Sequence, residues 1–233
     1  MLSTIEKIEP FSNHIFRVFL KPGRELNYKA GQHLNVSLSF GSLPFSIASP
    51  PSENKLVELH IGGTEAIERD NVVIDELNHA WLRGKKVVLS EAQGDAWLRN
   101  QNENPLLLIA SDTGISYILS ILKYSLIQGF TQPIYVYWGA KGMKDLYVHE
   151  ELIDIVLEHK NVSYVPIIET STTPQYAKQG KVLDIVMSDF GNLSEFDIYL
   201  CGPNHMIEMA RKWLCRERGA EPEHVYADEF AYL

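Results

Sequence analysis

A short segment around residue 45 combines an aromatic ring with a hydroxyl group. In Pro44-Phe45-Ser46-Ile47-Ala48-Ser49, the residue pattern predicts a strand that carries Phe45 and Ser46. A flat heteroaromatic ligand could use both, because the ring offers an apolar wall while the hydroxyl can first donate and then accept a hydrogen bond. This pair suits a ring nitrogen that takes up a hydride and becomes an N–H group. Taken alone, the segment favours an ordinary strand with Phe45 in the core and Ser46 as an ordinary strand residue.

A second candidate lies where an apolar strand gives way to a helical pattern, in Ser111-Asp112-Thr113-Gly114-Ile115-Ser116. Free backbone N–H groups and the helix dipole make such a helix start an anion site, and Gly114 lets a pyrophosphate approach the backbone. The three spaced glycines of the usual dinucleotide fingerprint are absent. Asp112-Thr113 is equally consistent with an N-cap that satisfies the free amides of the helix.

A third candidate is Tyr199-Leu200-Cys201-Gly202-Pro203, again a strand followed by a helix start, with Pro203 suited to the first helical turn. It places Cys201 at the carboxyl end of the strand, where the alternative interpretation is a small buried thiol. The eight histidines show no metal-ligand spacing, so we expect no metal site. No GxSxG motif indicates hydrolase chemistry.

The elements that must position these segments differ between the two halves of the chain. In the first hundred residues, short alternating runs are separated by Pro and Gly pairs, which predicts a small antiparallel β-barrel. The predicted strands are Ile15–Leu20, His33–Phe40, Pro44–Ala48, Leu56–Ile61 and Lys85–Leu89. One helix, Asn71–Leu82, is expected before the last of them.

Past Asn104, strands alternate with helices. The apolar runs at Leu106–Ala110, Ile134–Trp138, Val162–Ile168, Phe196–Leu200 and Val225–Ala227 are each followed or preceded by residues at helical spacing. This alternation predicts an α/β domain with a parallel five-stranded sheet, whose ligands bind at the carboxyl ends of the strands. We therefore expect two domains, 1–99 and 100–233, with the polar stretch Arg99–Asn104 as linker.

Composition excludes several other classes. The 233 residues are 45% hydrophobic with a formal net charge of −9, which argues against a general nucleic-acid-binding surface. No apolar run approaches the roughly 18 to 20 residues of a membrane span, and we expect a cytoplasmic protein. Two cysteines cannot supply the four thiolates of a plant-type iron–sulfur cluster, so electrons need another carrier.

Taken in order, Pro44–Ser46, Thr113-Gly114 after a strand, and Cys201-Gly202-Pro203 resemble the ferredoxin-NADP reductase superfamily. Its bacterial NAD(P)H:flavin oxidoreductase branch is similar over essentially the whole chain. The segments that carry this resemblance are Glu58–Gly62, Gly94–Arg99, Tyr137–Gly139 and Asp228–Tyr232. Within the branch, Leu43–Ala48 and Phe196–Pro203 are most similar to flavin reductases encoded with bacterial luciferase.

The resemblance implies that NADH or NADPH reduces a flavin that is a free substrate, with FMN expected and FAD or riboflavin as alternatives. It also implies luciferase as a candidate acceptor of the reduced FMN. Ser46 would be catalytic, next to flavin N5. The flavin would be framed by Pro44, Phe45, Ser46, Ile61, Gly62, Gly63, Thr113 and Phe230. The nucleotide would be held by Ser111, Asp112, Thr113, Gly114, Ile115 and Ser116, together with Cys201, Gly202 and Pro203, and Cys201 would lie near the nicotinamide.

Two positions depart from the superfamily pattern. Leu43 stands where general relatives have an arginine that binds the flavin phosphate or ribityl oxygens, and this favours weak, exchangeable flavin. Asp112 lies in a segment that is Gly-Gly-Thr-Gly in the relatives, and its carboxylate should repel a pyrophosphate unless it caps the helix. Lys141 and Lys144 could meet a 2'-phosphate, but exposed lysines are common and solvated surface is the favoured interpretation, so the choice between NADH and NADPH stays open.

We expect the two substrates to meet between the domains, where nicotinamide C4 stacks on flavin N5 for an oriented hydride transfer. Two alternatives remain at this point. One is an electron-transfer subunit that holds FAD permanently and would purify yellow. The other is a nucleotide- or flavin-binding protein without turnover.

Overall fold

A computed structural model of the chain describes residues 1–12, 14–51, 55–63, 67–99, 104–170 and 176–230. The residues group into two compact units. The first comprises Met1–Leu98 and Leu119–Gln128, and the second comprises Arg99–Ile118 and Gly129–Leu233. The expected boundary at residues 99 and 100 stays a prediction, since residues 100–103 of the expected linker lie outside the described ranges.

The first unit contains a six-stranded antiparallel sheet and one helix from the N-terminal part of the chain. In chain order these are β1 (Leu2–Ser12), β2 (Ile15–Pro22), β3 (His33–Leu38), β4 (Gly41–Ser46), β5 (Val57–Gly62), α1 (Ile67–Leu82) and β6 (Val87–Leu89). The spatial order is β4-β3-β6-β1-β2-β5. An antiparallel bridge between Ile47 and Leu59 joins the two edges of this sheet. This closure confirms the predicted antiparallel barrel.

The inward positions of the barrel follow the predicted alternation. Leu34 and Val36 of β3 are fully buried, as are Leu59 and Ile61 of β5. They share one core with Val73, Ile74 and Leu77 of α1. The helix therefore contributes one apolar face to the barrel core.

Two differences from the sequence-based assignment fall in this unit. Strand β1 was not predicted, because register shifts at Ile5/Lys7 and Pro10/Ser12 interrupt its alternation. Helix α1 begins at Ile67 rather than Asn71. Its first turn carries Glu68 and Asp70, and acidic residues there favour a helix start without adding to the apolar pattern.

The second sheet is parallel throughout. Its strands and the helices that follow along the chain are β7 (Leu106–Ser111), α2 (Ile115–Ile127), β8 (Ile134–Ala140), α3 (His149–Glu158), β9 (Val162–Ile168), β10 (Lys178–Gln179), α4 (Val182–Asp189), β11 (Asp197–Pro203), α5 (Asn204–Arg218) and β12 (Val225–Phe230). The order is β10-β9-β8-β7-β11-β12. The predicted α/β domain is confirmed, but the sheet has six strands instead of five.

The additional strand, β10, is two exposed residues long and, within the described ranges, pairs only with the end of β9. It is too short and too polar to produce an apolar run. Among the helices of the described ranges, none combines the length and apolar character that crossing a membrane would require.

Candidate active site

Two of the three candidate segments meet at the carboxyl ends of β7 and β11. These strands are neighbours in the sheet, with Cys201 opposite Ala110. The chain leaves β7 toward β8 on one side, whereas β11 and β12 lie on the other. Such a reversal of strand order opens a crevice at the carboxyl ends, which is where open α/β sheets bind ligands. The structure thus brings the turn after β7 and the end of β11 together in the second unit.

Gly114 lies where this turn passes closest to β11. A Cβ atom at this position would lie 2.5 Å from the carbonyl oxygen of Cys201. No side chain fits there without moving the backbone, so the glycine is required by the approach of strand and turn. Cys201 itself is fully buried, as a small thiol beside a helix start can be.

Asp112 adopts an unusual backbone conformation. It begins a short 3₁₀ helix, Asp112–Gly114, with a φ of 50°, the left-handed region that glycine enters most readily. Its carbonyl oxygen accepts two hydrogen bonds, one from the backbone N–H of Ile115 and one, 2.9 Å long, from the indole Nε1 of Trp138. The Trp138 side chain of β8 therefore restrains the backbone of this turn.

The N-cap residue of this turn is Ser111, whose side chain makes no capping bond. Ser116, one turn into the helical region, donates its hydroxyl to the Thr113 carbonyl at 2.9 Å. The carbonyl groups of the turn thus point to internal donors, while amides at a helix start have no acceptor within the helix. Together with the dipole of α2 and the side-chain-free Gly114, this donor set fits a pyrophosphate.

The remaining residues of this region follow the end of β11. Pro203 is the N-cap of α5, and a Cβ on Gly202 would meet the flexible Met206 side chain at 2.7 Å and Ser111 at 3.2 Å. Phe230 is the last residue of β12, and its backbone is paired with Pro203. The Phe230 side chain lies outside the described part of the structure.

The first candidate segment ends strand β4 of the barrel. Ser46 is 3% exposed and pairs with His33 of β3. Phe45 is partly buried against the barrel core, and Pro44 is exposed. The bridge from Ile47 to Leu59 sets this strand end beside β5, so the two predicted flavin segments of the barrel adjoin each other.

Strand β5 ends at Gly62, and Gly62 and the following Gly63 both have a positive φ. Gly62 has a φ of 129°, and a Cβ there would lie 1.8 Å from the carbonyl oxygen of His14. Gly63, with a φ of 153°, donates its backbone N–H to that same carbonyl at 3.3 Å. Ile61 before them is fully buried in the core. The β5 end is therefore shaped by the close approach of the β1–β2 turn.

Ser49, which carried no predicted role, fixes the chain just after Ser46. Its hydroxyl accepts the Glu58 backbone N–H at 3.2 Å and lies 3.1 Å from the Tyr28 hydroxyl. Its carbonyl oxygen accepts the Ser120 hydroxyl at 2.8 Å. These contacts join residues distant in sequence, so the only available signal was the repeated Ser in the Phe45–Ser49 segment.

A buried carboxylate lies on β5 beside this region. Glu58 pairs with Arg17 of β2, and its Oε1 lies 2.9 Å from the His60 ring nitrogen. Burial alone would raise the pKa of this carboxyl, but the hydrogen bonds and charges of His60 and Arg17 lower it to about 2. Among the residues that the structure describes, no three histidine, cysteine or carboxylate side chains are grouped so as to hold a metal ion.

Comparison with known proteins gives this geometry a family. Residues 108–212 match the oxidoreductase NAD-binding domain model. The chain is 65% identical to a probable flavin reductase of Vibrio harveyi over the full length of both proteins. It is 36% identical to a NAD(P)H-flavin reductase of the same organism, covering 98% of each chain.

Among solved structures, a ferredoxin NADP⁺ reductase from Neisseria gonorrhoeae superposes with a TM-score of 0.80 at 14% identity, covering 98% of each chain. This likeness confirms the ferredoxin-NADP reductase-like fold. The full-length identity to the Vibrio protein goes further. The chain belongs to the flavin reductase family of the ferredoxin-NADP reductase superfamily.

Proposed function

We propose that this protein transfers a hydride from NADH or NADPH to free FMN. The observation that carries the proposal is the 65% identity, over the whole of both chains, to a probable flavin reductase. The second unit contributes a helix start suited to a pyrophosphate, and the first contributes a barrel strand with an aromatic residue and a buried hydroxyl. Each substrate thus has a set of residues whose chemistry suits it.

The nicotinamide nucleotide is bound by the turn Ser111–Ser116 and by Cys201–Pro203. The support for this is their adjacency at the reversal of strand order and the space that Gly114 leaves beside Cys201. Backbone N–H groups of the turn hold the pyrophosphate. Cys201, at the strand end, borders the nicotinamide.

The flavin is bound in the first unit, by the strand end of β4 and by Gly62 and Gly63 at the end of β5. Ser46 hydrogen-bonds flavin N5 and accepts from the N–H that forms there once the hydride has arrived. The chemistry requires no strong acid or base. What these residues supply is orientation and a site from which water is kept away.

Flavin acts as a substrate that is released after reduction, because Leu43 replaces the arginine through which related reductases retain it. The reduced FMN is available to a flavin-consuming enzyme, and bacterial luciferase is the acceptor that the sequence resemblance favours. We expect the reaction to take place in the cytoplasm, because NADH and NADPH are regenerated there.

Purified protein mixed with NADH and FMN tests the proposal directly. We expect rapid loss of nicotinamide absorbance that depends on flavin, with FMN, FAD and riboflavin compared as acceptors and NADPH compared as donor. The protein should be nearly colourless. A yellow preparation that reduces a protein acceptor but not added flavin would identify an FAD-holding electron-transfer subunit. Nucleotide binding without turnover would identify a non-catalytic protein.

A further inference from the structure

Trp138 is a fully buried residue of β8 that has no part in the proposed hydride transfer. Its strand position is opposite Ala110, one residue before the nucleotide turn begins. From there its indole Nε1 reaches past the strand end to the carbonyl oxygen of Asp112 at 2.9 Å. Its ring makes a T-shaped contact with the ring of Tyr147, with centroids 5.3 Å apart and planes at 90°. Burial and this contact hold the indole in one orientation.

Asp112 is the position of the turn that most needs an external restraint. Its φ of 50° is unfavourable for a residue with a side chain, and such conformations persist only where the surroundings enforce them. The indole N–H supplies that restraint from a different strand. The Asp112 carbonyl and the Thr113 N–H belong to one trans peptide unit and point in opposite directions. A carbonyl held toward Trp138 therefore directs that N–H away from the indole, where it can donate to an anion in the proposed site.

We propose that Trp138 is a positioning residue for nicotinamide nucleotide binding, acting through its hydrogen bond to the Asp112 carbonyl. This inference rests on the proposed function. Because Trp138 acts through the backbone of the turn and not on a substrate directly, its loss should weaken nucleotide binding while leaving the flavin residues of the barrel unaffected.

Trp138→Phe keeps an aromatic ring beside Tyr147 and removes only the N–H donor and part of the indole. We expect the KM for NADH and the Kd of NAD⁺ to rise about fivefold, the factor that corresponds to one lost hydrogen bond. The KM for FMN and the kcat at saturating NADH should stay within about twofold of the wild-type values. Calorimetric titration with NAD⁺ measures binding without requiring turnover.

A matched control is Tyr137→Phe, which removes one hydrogen bond from the adjacent residue of the same strand, the 2.8 Å bond to Asp189. It should lower thermal stability without changing NADH affinity. Ser116→Ala removes the hydroxyl that donates a hydrogen bond to the Thr113 carbonyl, and it tests the same turn with every aromatic ring in place. It should also raise the KM for NADH and serves if Trp138→Phe does not fold.

The outcomes separate the two proposals. If wild-type protein reduces FMN but Trp138→Phe and Ser116→Ala bind NAD⁺ as tightly as Tyr137→Phe, the positioning role is wrong and the reductase function stands. If wild-type protein does not reduce flavin yet binds NAD⁺, and Trp138→Phe weakens that binding, the reductase proposal fails and the positioning role is supported. An equal loss of NADH and FMN affinity in Trp138→Phe would indicate a general structural defect and overturn the inference.

Discussion

Asp112 carries two disadvantages at once for a residue in the turn that we propose binds the nucleotide. Its backbone lies in the left-handed region, where a side chain costs of the order of 1 kcal/mol. Its charge has the same sign as a pyrophosphate. Aspartate is among the few residues that tolerate this conformation, and its carbonyl is engaged by Trp138. The position thus keeps its geometry but should bind the nucleotide less tightly than a neutral residue would.

Removing that charge should tighten nucleotide binding. We expect Asp112→Gly and Asp112→Asn each to lower the KM for NADH about two- to fivefold, because both remove the repulsion and both tolerate a positive φ. The difference from wild type should shrink as salt is added, since ions screen the repulsion. Steady-state kinetics at low and high ionic strength measures this. An unchanged or higher KM in both variants would show that the carboxylate does not face the phosphates.

Ser46 allows a test of the hydride-accepting side of the reaction. Ser46→Ala should lower kcat about 10- to 1,000-fold, the range for one positioned polar group, with little change in the KM for NADH. Ser42→Ala is the control, because Ser42 is an exposed residue of the same strand. Flavin-dependent oxidation of NADH by both variants gives the comparison. Equal turnover in the two variants would remove Ser46 from the mechanism.

Among the secondary-structure elements, most of those with a regular apolar pattern could be predicted from the sequence. Alternation identified β3 and β5, and the change to helical spacing after β7 identified the parallel sheet. What it missed depends on contacts between distant residues. The bulges of β1 interrupt its period of two, and β10 exists only because β9 offers it an edge.

The same limit applies to the candidate site. Gly114 could be singled out because its position after a strand has a local meaning. Trp138 could not, since its role depends on the parallel register that sets β8 beside β7 and on the backbone conformation of Asp112. Ser49 likewise became recognisable only through partners 21 and 71 residues away.

The ion pair between β2 and β5 gives a pH-dependent contribution to stability. The pKa of Glu58 is lowered to about 2 in the folded protein, so the folded state binds this proton less readily than the unfolded chain. The resulting stabilisation is fully present above the unfolded value, near 4.3, and is lost as pH falls toward 2. A depression of this size corresponds to about 3 kcal/mol, as an order of magnitude.

Glu58→Gln should therefore lower the Tm clearly at pH 7, with the difference from wild type shrinking between about pH 4 and pH 2. Glu9→Gln is the control, because Glu9 is more exposed and lies 3.9 Å from the same Arg17 guanidinium. It should change the Tm little at either pH. Thermal unfolding across this pH range measures both variants, and a difference that persists undiminished at pH 2 would contradict the assignment.

For the whole molecule, the overall charge opposes the ligands that the chain is proposed to bind. A net charge of −9 repels FMN and nicotinamide nucleotides at long range. The affinity for these ligands must then come from local features, such as the proposed pyrophosphate site at the helix start beside Gly114. Binding through such local contacts suits an enzyme that must release one substrate reduced and the other oxidised in each cycle, because slow release would limit turnover.

Leu43 is the position at which we expect a substitution to raise the affinity for flavin and slow its release. It lies on β4, opposite Val36, and packs partly buried against the barrel core. In Leu43→Arg, a guanidinium could form paired hydrogen bonds to the flavin phosphate or ribityl oxygens. We expect the KM for FMN to fall about tenfold and the variant to retain flavin through desalting, measured as visible flavin absorbance per mole of protein.

The matched control is Leu43→Gln, which loses the same apolar contacts without gaining a charge. It should remain colourless, and its KM for FMN should not fall. In Leu43→Arg, kcat should also decrease, because release of reduced flavin becomes slower than hydride transfer. If Leu43→Arg stays colourless with an unchanged KM for FMN, residue 43 does not reach the flavin. Exchange of flavin would then depend on other residues of the barrel.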